Sequence, residues 1–205
     1  MEKYKQVVID AGKEMCKRSL TVGTWGNLSV RDLESGYIFL TPSGMNYETL
    51  VCDDIVVFDT DGNWVEGERK PSIEKDLHIM IYRERTDVNA IIHTHPLYST
   101  VFCVTQQNIP PITEEFAQIV GNTVLCAEYA LPGTIELAKN AVKALDKQNA
   151  VLLASHGTVC VGPNMEMAFK ICDVVEKAAH ILILSKGIGT PRIIPDEDIY
   201  AMRSS

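Results

Sequence analysis

The sequence predicts a single α/β domain, spanning residues 1–205, with helices packed on a central sheet that is not purely parallel. Three observations carry this. The length suits one domain and is enough to bury well over half of the unfolded chain's surface without staples. Segments of helical and strand period alternate along the chain, with no repeat, low-complexity tract or linker between them. An early pair of strands joined by a short turn reads as a hairpin, which makes that pair antiparallel. Apolar residues make up 46% and charged residues 22%, a globular balance that excludes disorder.

The elements follow in order. Tyr4, Val7, Val8, Ala11 and Met15 fall at helical spacing, so residues 2–19 are expected to form an amphipathic helix. Asn27 to Arg31 and Tyr37 to Leu40 are the hairpin strands, joined through Leu33-Glu34-Ser35-Gly36. Thr41-Pro42-Ser43-Gly44 is a tight loop. Ile55 to Phe58 is a strand, followed by a turn through Asp59 to Asn63. Pro71-Ser72 precedes a helix reaching about Arg85, with Ser72 as its expected N-cap. Ala90 to His95 is an apolar strand, and Pro96 opens a helix, where its missing N–H does no harm. Val124 to Ala127 is a strand and Thr134 to Leu145 a helix. Ala150 to Ala154 and Thr158 to Val161 are strands on either side of Ser155-His156-Gly157. A last long helix runs from about Asn164 to Lys186 and closes at Gly187.

Charge and cysteine usage exclude several classes of function. Lys and Arg number 19 against 27 Asp and Glu, for a net charge of -8. Such a balance argues against nucleic acid and anionic membranes as partners. The six cysteines include no CxxC pair, and Met1-Glu2-Lys3-Tyr4-Lys5 leads into an amphipathic segment, not an apolar signal core. The expectation is a cytoplasmic protein with reduced thiols and no membrane span.

The chemistry lies with the histidines. His93 and His95 are two apart on one predicted strand, so both side chains point to one face. His156 stands at the end of another apolar strand. Three imidazoles at strand ends can converge at one rim of a sheet and hold zinc or another divalent transition ion, with a position left for substrate. Glu74 or Asp76 can add a carboxylate. Glu74 and His78, four apart on one helix face, are an alternative metal pair; otherwise His78 packs against the helix flank or is solvated. His180 reads as a helix-surface or interface residue. Gly23-Thr24-Trp25-Gly26-Asn27, Thr41-Pro42-Ser43-Gly44 and Ser72 form a second group. Glycine lets backbone N–H groups approach an anion, and hydroxyls and amides add donors, so these segments can cradle phosphate without lysines.

Taken together, G-T-x-G-N-x-S-V-R at Gly23 to Arg31, T-P-S-G at Thr41, K-P-S-x-E at Lys70, H-T-H-P at His93 and S-H-G at Ser155 resemble the class II aldolase/adducin family, in particular its small bacterial L-fuculose-1-phosphate aldolases. The resemblance extends from about residue 3 to 199. It implies a three-layer αβα domain with a mixed, largely antiparallel sheet. It implies a metal site of Glu74, His93, His95 and His156, holding Zn2+, with Mn2+ or Co2+ as other occupants. It also implies a phosphate site of Gly26, Asn27, Ser43, Gly44 and Ser72, and a C4 homotetramer with active sites between subunits.

The implied activity is cleavage of a ketose 1-phosphate to dihydroxyacetone phosphate and an aldehyde. L-fuculose 1-phosphate and deoxy or methylthio pentulose 1-phosphates are the candidate substrates. The metal would act as Lewis acid, and Glu74 as both ligand and acid/base. Two departures touch specificity. Ile73 replaces a second phosphate-binding serine. The family's proton-donor tyrosine falls near Glu114, within Ile112-Thr113-Glu114-Glu115-Phe116, so Glu114 or Glu115 takes that role or the two form a surface pair. A further tyrosine, in the family's longer tail, has no clear counterpart: the sequence ends at Ser205, a few residues after Tyr200. The competing readings are a 4-epimerase of the ribulose-5-phosphate type, a methylthioribulose-1-phosphate dehydratase and an adducin-like structural module. Glu rather than Asp at position 74 favours aldolase over epimerase, and a full metal set disfavours the adducin-like module.

Overall fold

The computed structural model describes residues 1–204. Eight strands form one sheet in the order β4-β3-β2-β1-β5-β8-β7-β6. They are β1 (Asn27–Arg31), β2 (Ile38–Leu40), β3 (Val56–Phe58), β4 (Trp64–Glu66), β5 (Ala90–Thr94), β6 (Cys126–Ala127), β7 (Ala150–Leu153) and β8 (Gly157–Gly162). Every neighbouring pair is antiparallel except β6 with β7. The sheet is therefore mixed and largely antiparallel, as expected.

Strand alternation sorts the side chains into two cores. Phe39, Val57, Ala90, Ile92, Leu152 and Cys160 face one way. They pack under α1 (Glu2–Lys17), α3 (Leu97–Thr105), α4 (Glu114–Ile119) and α6 (Met165–Ser185). Ile38, Leu40, Phe58, Ile91, Val151 and Val159 face the other way, under α2 (Lys75–Glu84) and α5 (Ile135–Leu145). Three layers result. A last helix, α7 (Asp196–Ser204), packs on α4. No helix among the described residues is long and apolar enough to cross a membrane.

Several boundaries differ from expectation, each for a local reason. Ser72 is not the N-cap of α2. Its Oγ accepts from the Glu74 N–H at 3.2 Å, closing a small turn, and Glu74 takes the cap position. The strand expected over 124–127 shrinks to Cys126–Ala127, because Val124 is held instead in an isolated bridge to Ile109. Asn164 does cap α6, accepting from the Met167 N–H at 2.9 Å, and Thr134 caps α5 in the same way. Such caps contribute about 1 kcal/mol each.

The rim that matters lies where three strands end. β5 is flanked by β1 and β8, with Asn27 opposite His93 and Thr94 opposite Thr158. The C-terminal end of β5 thus meets the N-terminal ends of β1 and β8.

Candidate metal centre and its cleft

His93 is fully buried on β5. Its Nδ1 lies 3.1 Å from the Thr158 carbonyl oxygen, which can only accept, so Nδ1 carries the proton and Nε2 is bare. His95 lies just past the strand end, held by its backbone N–H donating to the Leu20 oxygen at 3.0 Å. His156 sits in the turn from β7 to β8, next to Ser155, whose φ of 54° is unusual for a non-glycine residue. The strand alternation that buries Ile91 aims His93 and His95 to the same side.

The three rings meet in T-shaped pairs, with centroids 4.8, 4.7 and 5.0 Å apart. Their Nε2 atoms are 2.9 Å apart for His95 and His93, and 3.3 Å apart for His93 and His156. Burial drives the pKa of each ring down to about 4, so all three are neutral at physiological pH. Three neutral imidazoles with Nε2 atoms this close are an arrangement that a cation satisfies.

Glu74, buried at the N-cap of α2, completes the cluster. One carboxylate oxygen, Oε2, is 3.2 Å from His93 Nε2, and the other, Oε1, is 3.4 Å from His156 Nε2. Asn27 Nδ2 donates to Oε2 at 2.8 Å. Glu74 Oε1 and His156 Nδ1 are buried with no hydrogen-bond partner. A buried carboxylate oxygen without a donor is uncommon and asks for a ligand. Three imidazole nitrogens and one carboxylate oxygen are the donor set of a divalent transition metal, so the residues fit such an ion.

A cleft of about 500 Å³ adjoins the cluster. Gly26, Asn27, Ser43, Gly44 and Ser72, the residues expected to hold phosphate, all line it, together with Glu74, His95 and His156. No lysine or arginine among the described residues lines it. Gly26 has a φ of +75°, and a Cβ added there would lie 2.5 Å from the His93 carbonyl oxygen, so glycine alone lets the chain enter β1 this close to β5.

Other residues depart from expectation. The side chain of Asn27 is engaged twice: its amide serves Glu74, and its oxygen lies 2.5 Å from His78 Nε2. His78 is neither solvated nor paired with Glu74 on an ion; it is fully buried against Asn27 and Ser29. His180 stacks on Tyr98 with ring centroids 3.7 Å apart. Glu114 is exposed at the start of α4, accepting from Gln118 Nε2 at 3.1 Å, and Glu115 pairs with Lys177 at 2.6 Å. Neither glutamate lines the cleft of its own chain. Among the lining residues, Pro132 gave no signal in the sequence. Trp25, 67% exposed with its ring 5.9 Å from that of His95, was embedded in a motif read only for its small residues.

Residues 6–183 match the family described as class II aldolase and adducin N-terminal domain. The chain is 36% identical to the 5-deoxy-D-ribulose 1-phosphate aldolase of Bacillus thuringiensis, over 97% of this chain and 93% of that protein. It is 35% identical to the L-fuculose phosphate aldolase of Escherichia coli, over 96% of this chain and 91% of that protein. The solved structure of an L-fuculose 1-phosphate aldolase superposes with a TM-score of 0.96 at 43% identity, covering 100% of this chain and 96% of that one.

Proposed function

The chain belongs to the class II aldolase and adducin family and is an aldolase of that class, and we propose that it cleaves a ketose 1-phosphate reversibly to dihydroxyacetone phosphate and an aldehyde. The substrate class is L-fuculose 1-phosphate or a related deoxy or methylthio pentulose 1-phosphate, which follows the activities named for its relatives. The observation that carries the reading is the convergence of three histidine Nε2 atoms beside an unpartnered Glu74 Oε1, at the end of a cleft whose described lining has no lysine or arginine.

His93, His95, His156 and Glu74 are the proposed ligands, and zinc the proposed ion, with manganese or cobalt fitting the same donors. Bound there, a divalent ion supplies Lewis acidity for the negative charge that develops on the ketose oxygens. The protein supplies the rest. Thr158 holds His93 as a neutral ligand. Backbone amides and hydroxyls of Gly26, Ser43, Gly44 and Ser72 receive the phosphate, and Asn27 stands at the same wall. As the C3–C4 bond breaks, the C4 hydroxyl loses a proton and C3 gains one. We assign the proton at C3 to Glu74, whose Oε1 is free to reach it.

The 205 residues act as one cytoplasmic domain, with the six free thiols reduced. The assembly is a homotetramer: Leu97, Val101 and Val104 form an exposed apolar stripe at helical spacing along α3, suited to a second copy. In that assembly the group that accepts the C4 proton comes from a neighbouring subunit, with Glu114 as the candidate.

The test is a substrate panel on the zinc-loaded protein: L-fuculose 1-phosphate, 5-deoxyribulose 1-phosphate, methylthioribulose 1-phosphate and L-ribulose 5-phosphate. Dihydroxyacetone phosphate should appear from at least one ketose 1-phosphate. Epimerisation of the 5-phosphate, or loss of water from the methylthio sugar, with no dihydroxyacetone phosphate from any substrate, would overturn the aldolase reading. Sedimentation velocity on the same sample should give four chains per particle; a single 22.7 kDa species rejects the tetramer.

A further inference from the structure

β1 carries polar side chains where an inward face is normally apolar. Leu28 and Val30 enter the core beneath α1, so Asn27 and Ser29 turn to the opposite side, against α2. Both are buried, Ser29 completely. Burying a polar group without a partner costs roughly 1–3 kcal/mol, so every one of these atoms needs a bond. α2 answers with His78 and Tyr82, four apart on one face and both buried.

The contacts form an unbroken line. Tyr82 Oη lies 2.9 Å from Ser29 Oγ, which is 2.7 Å from His78 Nδ1. His78 Nε2 is 2.5 Å from Asn27 Oδ1, and Asn27 Nδ2 is 2.8 Å from Glu74 Oε2. From Glu74 back to Ser29, the direction of each bond follows from the carboxylate, which only accepts. Asn27 must therefore turn its amide nitrogen to Glu74 and its oxygen to His78. His78 must then carry its proton on Nε2. Its bare Nδ1 accepts from the Ser29 hydroxyl, while the Tyr82 hydroxyl, 2.9 Å from Ser29 Oγ, also reaches the Ser29 carbonyl oxygen at 3.0 Å, which only accepts. From the Ser29 hydroxyl onward, the hydrogens point toward Glu74.

We infer that His78 is a positioning residue for Glu74, fixing through Asn27 which carboxylate oxygen is held and which is left free. The inference rests on Glu74 being the proton-carrying group proposed above. Burial, with the neighbouring His93 adding to it, holds the His78 ring neutral, its pKa lowered to about 3. A neutral ring can serve as donor at one nitrogen and acceptor at the other. Successive donors polarise one another, and the last one fixes the orientation of the carboxylate. Both oxygens face the histidine cluster, Oε2 held by Asn27 and Oε1 left without a hydrogen-bond partner. Without His78, the Asn27 amide is free to turn over and present its oxygen to Oε2. Two acceptors would then face each other, and the carboxylate would have to rotate away.

Two measurements test this. The first is 15N NMR of the histidine rings in the metal-free protein, which needs no substrate. It should find the His78 proton on Nε2; a proton on Nδ1 overturns the inference. The second is steady-state kinetics of His78→Phe and His78→Gln on the metal-loaded enzyme. The phenylalanine variant should lose about 10–100-fold in kcat, with KM changed by less than about threefold, as expected for an outer group orienting a site residue. Glutamine, whose amide can still donate to Asn27 Oδ1, should recover most of that loss. Unchanged kcat in His78→Phe, or no recovery in His78→Gln, overturns the inference. If His78→Phe does not fold, Ser29→Ala replaces it, and kcat should fall in the same way; an unchanged kcat counts against the line of bonds. If the wild-type protein releases no dihydroxyacetone phosphate, the aldolase reading falls, and the NMR result alone decides the His78 tautomer.

Discussion

In the proposed mechanism, Glu74 concentrates the chemistry in one side chain. One of its oxygens is held by Asn27 and the other is buried without a partner next to His156. Glu74→Gln keeps the shape and an acceptor for Asn27 but removes the proton-carrying carboxylate. Turnover should fall about 10²–10⁴-fold, while the three histidines still retain the ion. Kinetics paired with metal analysis decides this, and near-normal turnover would remove Glu74 from the role. The histidines were legible because strand period places His93 and His95 on one face. Glu74 and Asp76 were both candidate carboxylates, and only the motif resemblance singled out Glu74. Helical spacing suggested that it pairs with His78, but Glu74 occupies the cap, so its carboxylate turns to the sheet rim while His78 points to β1. The clue to that arrangement was present in the chain as Asn27 and Ser29, two polar residues alternating with Leu28 and Val30. Ser72 looked like a helix cap and instead closes the turn that presents Glu74.

At the scale of elements, the site is a junction of strand ends, and its tolerance is set by backbone crowding. At Gly157, the first residue of β8, an added Cβ would lie 2.4 Å from the Thr94 carbonyl oxygen and 2.7 Å from His95 Cδ2. Gly157→Ala therefore has to displace either β5 or the His95 ring. Overpacking of this kind costs about 1–3 kcal/mol, and metal affinity should fall with it. Thermal unfolding and metal titration of the variant check both; wild-type values for the two would show that the junction is slack. The elements missed in the sequence share a physical cause. β4 is exposed along its length and shows no alternation, α4 is only six residues long, and α7 buries only Ile199. Each is held by its neighbours rather than by a pattern of its own.

For the whole molecule, the net charge of -8 argues against nucleic acid and says little about the cleft. The cleft has no lysine or arginine among its described lining residues, so the proposed phosphate site relies on backbone amides, hydroxyls and the proposed ion. The α/β class and the rim location were legible because alternation of helices and strands, and apolar strands ending in histidine, are local patterns. Strand order was not. That β5 lies between β1 and β8 depends on pairings far apart in sequence, which local periodicity does not encode. The most direct test of the account is the rate of dihydroxyacetone phosphate release from the substrate that the panel identifies, measured with the metal content of the same sample. The fully loaded protein should hold one ion per chain and release product. Chelation should remove both, and added zinc should restore them. Undiminished release from metal-stripped protein, or a full complement of ion retained by His93→Ala, would contradict it.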